Sequence, residues 1–231
     1  MSDKAAKVAR PVSVDELCSL AKKVVDIFAQ HDLSCCLTGD LACALQSVPR
    51  RPYDLVVVVA SEAHKQEQLK EMATETDPDF YLITPKDPRA KHKALCYKLP
   101  HQSGERKRGC EVHVLVPGML NIPEIPKDRI ETLRGLPVMP LPVLMFMKLQ
   151  TWSDRRVSVQ SYMKTKQHDE DVKDIRELLA VIRGRGGDLS TKALLEWLPL
   201  TAVFAALGRM TEFANVFPDS ETNWRVVGAL K

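Results

Sequence analysis

The spacing of apolar residues near the start of the chain predicts an amphipathic helix. Apolar side chains recur every three or four positions, which places them on one helical face: Leu17, Leu20, Val24, Ile27 and Phe28. Ser13 followed by Glu16 is the signature of a capping box. We therefore predict a helix that begins just after Ser13 and packs one face against a core.

Short apolar runs bounded by polar residues predict five strands. They cover residues 35–38, 55–59, 80–84, 93–99 and 110–116. Ser61 is a candidate cap for a helix over residues 63–75, whose Glu and Lys residues form a solvated face. Residues 86–92, KDPRAKH, are predicted to be a polar connection. The first half of the chain thus mixes strands and helices.

The pattern changes after residue 117. Residues 117–142 are rich in proline, which interrupts regular structure and predicts a connector. A buried apolar helix is predicted over residues 141–152 and ends in the SDRR that follows. A second helix, with its apolar residues on one face, is predicted over residues 168–183. After a glycine-rich break, Ser190 opens two further helices split by Pro199. Their predicted core residues are Leu194, Leu195, Trp197, Leu198, Phe204, Leu207 and Met210.

This order of elements predicts an α+β fold. We expect a mixed sheet with flanking helices in residues 1–135 and a C-terminal helical domain in residues 136–231. A chain of 231 residues with 45% hydrophobic residues can bury a core of its own.

The composition of the chain limits its possible binding partners and its possible cellular compartment. The net charge of +3 is too small for a protein that is basic over its whole surface. No apolar segment is long enough to span a membrane, and the amino terminus lacks the apolar core of a signal peptide. We therefore expect a cytoplasmic or nuclear protein without a membrane partner. Six cysteines without a CxxC pair predict reduced core thiols rather than a zinc ribbon or disulfides.

A basic loop is predicted over residues 101–109, HQSGERKRG, between two strands. It has two interpretations. Its charges fit a phosphate or nucleic-acid contact, but the same composition is typical of a solvated hairpin tip. The sequence leaves both open.

Gly39, the first glycine of the chain, separates an apolar strand from a helix-like run. This predicts a tight turn where the backbone must approach another group closely. After the helix, Asp54 precedes the apolar run of residues 55–59. The succession of strand, glycine turn, helix and carboxylate-bearing strand resembles the opening of the polymerase-β-type nucleotidyltransferase superfamily.

The resemblance implies a site in which carboxylates hold two divalent metals, Mg²⁺ or Mn²⁺. Because side chains i and i+2 share one face of a strand, the family pattern is acid, apolar, acid. Asp54 stands at the first position, but Val56 occupies the second. A third acid would come from the strand at residues 110–116, where His113 stands instead. Glu111 lies one strand step earlier on the same face.

Gly39 and Asp40 stand where the resemblance places the nucleotide-binding turn. The family has a second glycine or a serine at the position of Asp40, whose carboxylate would repel a triphosphate. These departures imply a degraded metal centre. The alternative is a rebuilt centre formed by Asp54, Glu111 and His113, with Asp54 and His113 as metal ligands. A histidine ligand would shift the preference from magnesium towards manganese or zinc.

Each of these residues also has a purely structural interpretation. Asp54 can cap the start of a strand, Glu111 can be a surface acid and His113 can be a partly buried histidine.

The resemblance extends into the helical part and spans about residues 12–179. Residues 141–156 and 168–179 resemble fungal nucleotidyltransferase-like proteins and bacterial toxin-type nucleotidyltransferases. Carried over, Lys148 is a triphosphate contact, and Asp171 and Asp174 belong to the element that closes the cleft. Both aspartates also have a structural interpretation as amino-terminal charges that offset a helix dipole.

The arginines Arg155 and Arg156 also fall in this part of the resemblance, and their roles stay open. An unpaired ammonium on a buried helix is costly. We therefore expect Lys148 to lie at the cleft edge or to pair with Asp40 or Asp54.

Three functions follow from these observations. The first is a binding or regulatory protein for a nucleotide or RNA that has lost efficient turnover. The second is an active nucleotidyltransferase that transfers a nucleoside monophosphate to a hydroxyl group and uses Mg²⁺ or Mn²⁺. The third is a structural interaction module that uses the helical domain as a docking surface.

Overall fold

The computed structural model describes residues 10–84, 92–101 and 107–231, except for the side chains of residues 161–168. Within these ranges seven strands form one mixed sheet. They are β1 Ser34–Thr38, β2 Leu55–Ala60, β3 Phe80–Ile83, β4 Ala94–Leu99, β5 Arg108–Leu115, β6 Glu131–Leu133 and β7 Leu136–Val138. The five predicted strands are confirmed, with ends shifted by one or two residues.

Helices flank this sheet and make up the C-terminal part. They are α1 Val14–Gln30, α2 Gly39–Leu45, α3 Gln66–Thr76, α4 Leu141–Val157, α5 Ser161–Gly184, α6 Thr191–Leu195, α7 Leu200–Val216 and α8 Glu221–Val226. The predicted α+β fold, a mixed sheet with flanking helices followed by a helical part, is confirmed.

The strand order brings three separated segments together. The sheet runs β3, β4, β5, β2, β1, β7, β6. Strands β2 and β5 are parallel, and their register places Val56 beside His113. Strand β1 is antiparallel to β2, so that Thr38 at the end of β1 lies beside Val56 as well. The end of β1, the start of β2 and the second half of β5 therefore share one region of the sheet.

Helix α1 begins as the sequence predicts. The Ser13 hydroxyl accepts a hydrogen bond from the Glu16 amide, and the Glu16 carboxylate accepts one from the Ser13 amide. Arg108 of β5 donates to the same carboxylate at 2.9 and 3.1 Å, which ties the start of the helix to the sheet. This arrangement lowers the pKa of Glu16 to about 2, chiefly through the Arg108 hydrogen bond.

Several details differ from the sequence prediction. Ser61 does not cap α3, because its hydroxyl accepts from the His64 amide and α3 begins at Gln66. The proline-rich connector contains the hairpin of β6 and β7, whose turn has Arg134 and Gly135 at φ of 51° and 75°. The sheet thus continues to Val138, beyond residue 135, and the division into two domains stays a prediction.

The helical part is organised around buried aromatic side chains. Trp152 of α4 contacts Phe213 of α7, with 5.1 Å between ring centroids, and Phe213 also contacts Trp224 of α8. Phe204, predicted as core, is 56% exposed. The reason is helical phase, since α7 buries the face that carries Val203, Ala206, Met210 and Phe213.

Two further predictions concern connections. Residues 86–91 of the predicted polar connection and residues 102–106 of the predicted basic loop lie outside the described residues.

No helix in the described part of the chain combines the length and the apolar character needed to cross a membrane. The six cysteines are all free thiols, five of them buried.

Candidate functional site

Gly39 connects β1 directly to α2 and adopts a positive φ of 70°. A side chain would be strained in this conformation. A Cβ atom on Gly39 would also lie only 2.9 Å from Cγ2 of Val56. The close approach predicted from the sequence is present, and the group that requires it is Val56 on the neighbouring strand. The role of Gly39 in nucleotide binding stays a prediction.

Asp40, in the first turn of α2, is paired through both carboxylate oxygens. Lys148 of α4 donates to its Oδ1 at 2.7 Å. Arg50 donates to its Oδ2 at 2.9 Å. The expected pairing of Lys148 with Asp40 is thus confirmed, and Lys148 also donates to Asp174 of α5 at 2.8 Å. Three elements are joined through one buried ammonium.

Burial makes these contacts electrostatically strong. Lys148 is 7% exposed and Asp174 is 2% exposed. Burial by itself would lower the pKa of Lys148, but Asp40 and Asp174 raise it above its usual value. Burial would likewise raise the pKa of Asp40, yet Lys148 and Arg50 lower it. Lys148 and Asp40 are therefore both charged at neutral pH.

A second ion pair joins the same two helices, α4 and α5. Arg155 of α4 donates from one nitrogen to both oxygens of Asp171, at 2.6 and 2.8 Å. Asp171 is 1% exposed, and this burial raises its pKa although Arg155 opposes the shift. Arg50 reaches a further carboxylate, Glu170, at 3.1 Å. In this ion-pair cluster four carboxylates face three cations: Asp40, Glu170, Asp171 and Asp174 against Arg50, Lys148 and Arg155.

The ion-pair cluster borders a cavity of about 230 Å³. We call this cavity the cleft. Its lining comes from the sheet through Thr38 and Val56 and from the helical part through Met147 and Thr151. Arg156 takes no part in the lining, because it pairs with Glu212 and lies 4.7 Å from the Trp152 ring centroid. Of the two arginines whose roles the sequence left open, Arg155 therefore lines the cleft and Arg156 does not.

Asp54, His113 and Glu111 meet at the start of β2 and on β5. His113 Nε2 lies 3.3 Å from Asp54 Oδ2, and His113 Nδ1 lies 3.7 Å from Glu111 Oε1. The hydrogen bond to Asp54 raises the pKa of His113 against the opposing effect of burial, and Glu111 adds to the increase. The sequence-predicted residues are therefore brought together, and the imidazole lies between the two carboxylates.

This arrangement does not fit a resident metal ion. The two carboxylates contact opposite nitrogens of the ring, so the three side chains do not converge on one point. Within the described ranges no group of three or more His, Cys, Asp and Glu side chains is placed to hold a metal. Only Asp54 of these three also lines the cleft. The assignment of Asp54 and His113 as metal ligands stays a prediction.

Sequence reasoning missed Arg50 as a member of the site. It follows a helix and precedes Pro52, which is typical of a helix end, and nothing local indicates that it crosses to α5. Its partners Glu170 and Asp174 lie more than a hundred residues away. Such contacts depend on tertiary packing and leave no signal in a single sequence.

Comparison with known proteins supports the fold. No family model and no curated protein matches the sequence. Among solved structures, the chain is similar to an antigenic nucleotidyltransferase-like protein from Paracoccidioides brasiliensis, with a TM-score of 0.64 and 16% identity over 94% of this chain and 95% of that one. It is also similar to JHP933 from Helicobacter pylori, with a TM-score of 0.51 and 11% identity over 93% and 79% of the two chains. The chain therefore has the fold of nucleotidyltransferase-like proteins.

Proposed function

We propose that this protein is a nucleotidyltransferase-like protein that binds a nucleotide or an RNA end without efficient nucleotide transfer. The observation that carries the proposal is the 2.7 Å contact between Lys148 and Asp40 beside the glycine turn. In this position the carboxylate of Asp40 satisfies a cation that would otherwise be available for a phosphate. The positive charge of Lys148 at the cleft is thereby neutralised by a carboxylate of the protein itself.

The charge balance of the ion-pair cluster supports the same proposal. Four carboxylates face three cations, so the cleft does not attract a triphosphate by net charge. A bound phosphate would have to displace an internal carboxylate from Lys148 or Arg50. The affinity for such a ligand is therefore set by how far the free energy of its own contacts exceeds that of the ion pairs that it replaces.

The sheet positions next to the glycine turn support a loss of transfer activity. A two-metal mechanism requires several acidic oxygen ligands around the reacting phosphate. Here Val56 and His113 stand at the two positions where further acids would be needed beside Asp54, and the strand register places them next to each other. A ligand in the cleft would meet the apolar side chains of Val56 and Leu144 and the hydroxyls of Thr38 and Thr151. These groups suit the sugar and base of a nucleotide.

Two measurements test the proposal. Incubation with each labelled nucleoside triphosphate, RNA and Mg²⁺ or Mn²⁺ is expected to give no transfer. The same nucleotides without metal are expected to raise the melting temperature, because ligands of the native state stabilise it. Thr151→Val removes one hydroxyl of the cleft and should weaken this stabilisation, whereas the exposed control Thr211→Val should not.

The alternatives give different results. Absence of any stabilisation by nucleotides and by RNA would contradict the proposal and favour a structural interaction module. Transfer that is lost in Asp54→Asn would favour an active nucleotidyltransferase.

The active enzyme is the second candidate because one observation favours it. His113 contacts both Asp54 and Glu111, and a carboxylate beside a histidine is an arrangement suited to proton transfer. In this case His113→Gln should abolish transfer along with Asp54→Asn. Transfer that survives both changes would contradict this second candidate.

A further inference from the structure

A second cavity lies next to the cleft and differs from it in chemistry. This groove has a volume of about 400 Å³ and lies between α4, α7 and residues 118–123. Its lining is mainly apolar and includes Leu120, Ile122, Pro123, Phe146 and Ala205. Leu120, Ile122 and Met147 line both cavities, so the groove opens beside the cleft.

Among the residues that the structure describes, Arg209 of α7 is the single charged one that lines this groove. It is half-buried, and no hydrogen bond or ion pair of its guanidinium is found within the described part of the chain. A guanidinium in such surroundings is usually paired, because removal from water is costly without a partner. Its donors therefore stay available to an anion that enters the groove.

The wall opposite α7 is held in an unusual conformation. Gly118, Leu120 and Asn121 have φ values of 88°, 50° and 58°. The Gly118 amide donates to the Ile122 carbonyl at 2.8 Å, and the Asn121 amide group donates to Gln150 of α4 at 3.2 Å. These bonds fix the loop, and the Leu120 side chain is left 60% exposed at the groove. Left-handed conformations of non-glycine residues cluster at ligand sites.

We propose that this groove binds a small amphipathic anion, a molecule with an apolar body and one carboxylate or similar acidic group. The volume lies within the range of about 300–1,000 Å³ that is typical of small-molecule sites. The apolar lining accepts the body, and Arg209 pairs with the acidic group. The polar side chains of Asn121, Gln150 and Thr201 at the same groove can bond its remaining oxygen.

This inference does not depend on the proposed function. The groove and Arg209 lie outside the ion-pair cluster, and a ligand there can bind whether or not the cleft takes a nucleotide. The test therefore uses no nucleotide and no metal.

The probe is decanoate, an aliphatic carboxylate, below its micelle concentration, with decylamine as the cation of equal length. Calorimetry is expected to show saturable 1:1 binding of decanoate and no comparable binding of decylamine. Arg209→Gln should weaken decanoate binding roughly tenfold, as expected when a charge-assisted bond is lost. Arg225→Gln on α8 removes another half-exposed arginine that does not line the groove and should leave binding unchanged.

A second variant tests the apolar part of the site. Ala205 is exposed and lines the groove, so Ala205→Trp fills the space without burying the new ring in the core. It should abolish decanoate binding and keep the melting temperature of the parent, whereas Ala205→Ser should retain binding. Equal affinity of decanoate for the parent and Arg209→Gln, or undiminished binding by Ala205→Trp, would overturn the proposal. So would equal affinity of the parent for decanoate and decylamine.

Discussion

Asp40 has two electrostatic partners that lie in different parts of the fold. Arg50 follows α2 in the chain, whereas Lys148 belongs to α4. A carboxylate in the first turn of a helix also interacts favourably with the helix dipole. The same residue that would repel an incoming phosphate thus stabilises the protein by holding two cations. Loss of Asp40 should therefore reveal both effects.

We predict that Asp40→Asn lowers the free energy of unfolding by about 1–3 kcal/mol at pH 7. Lys148 and Arg50 keep Asp174 as a partner, so the loss is smaller than for an isolated buried charge. The folded pKa of Asp40 lies below its usual value of 3.8. Its contribution is therefore present above pH 3.8 and is lost as the pH falls through the folded pKa. Urea unfolding of parent and variant at pH 7 and pH 3 measures the difference.

Asp15→Asn is the matched control for this prediction. Asp15 is also in the first turn of a helix and pairs with an arginine, but its side chain is 83% exposed. Its substitution should change stability by less than about 0.5 kcal/mol. If Asp40→Asn were as stable as the parent at pH 7, the ion-pair cluster would not have the energetic role assigned to it.

The sequence could predict residue contacts only where a residue's chemistry demands a partner. Lys148 stands on an apolar helix, and its pairing with Asp40 followed from the cost of an unpaired charge. Asp54 and His113 could be placed together because strands of this kind carry the site in the resembled family. Arg50 could not be predicted, since its contacts with α5 depend on how two distant segments pack.

At the scale of elements, the register between β2 and β5 decides which side chains can meet. It aligns Val56 with His113, and Thr38 of β1 lies on the other side of Val56. A shift of one residue between β2 and β5 would place Asp54 and Val56 on the face opposite to that of His113. The position at which a second acid would stand is therefore well defined, and it is filled by a valine that packs against Gly39.

This register allows a restoration experiment. Val56→Asp with His113→Asp and Asp40→Ser places three acids, including Asp54, on adjacent strands and removes one of the two carboxylates that pair with Lys148. The acids repel one another without metal, so we expect the variant to be less stable than the parent. Mg²⁺ or Mn²⁺ should raise its melting temperature but not that of the parent. Differential scanning fluorimetry with and without metal measures both effects.

The control for this experiment adds Asp54→Asn to the same variant, which removes one of the three acids. The metal-dependent increase in melting temperature should then fall or disappear. Equal metal responses of the parent and the restored variant would contradict the proposal of a lost metal site. Recovery of transfer activity is not required, because the acceptor site is a separate property.

Elements with strong periodicity were predictable, and short elements were not. Helix α1 carries both a capping box and an apolar face, and four of the six residues of β2 are valine. The strands of the β6 and β7 hairpin have three residues each, and Pro137 lies within one of them. Proline is uncommon inside strands, so this segment looked like a connector. Its pairing with β1 is a tertiary effect.

At the scale of the whole molecule, the sheet and the helical part are joined by a second polar network. Gln46 at the end of α2 is fully buried. Its side-chain nitrogen donates to Glu131 of β6 at 3.0 Å, and its oxygen accepts from Arg185 after α5 at 2.7 Å. Glu131 also accepts from the Leu141 amide at the start of α4. These contacts and the ion-pair cluster tie both parts together at two places.

We predict from this coupling that the two parts unfold together. All three tryptophans lie in α4 or beyond it, so their fluorescence reports on the helical part, whereas hydrogen exchange of β2 amides reports on the sheet. Gln46→Leu leaves Glu131 and Arg185 without their bridging amide and should cost about 1–3 kcal/mol. At about 2–4 °C per kcal/mol for a chain of this size, the melting temperature should fall measurably. Both probes should report the same loss, because a cooperative transition is seen equally by every probe.

The exposed substitution Gln160→Leu, at the start of α5, should change neither the tryptophan transition nor the exchange of β2 amides. If Gln46→Leu lowered the stability of β2 and left the tryptophan transition unchanged, the sheet and the helical part would be separate cooperative units, and the polar network would not couple them.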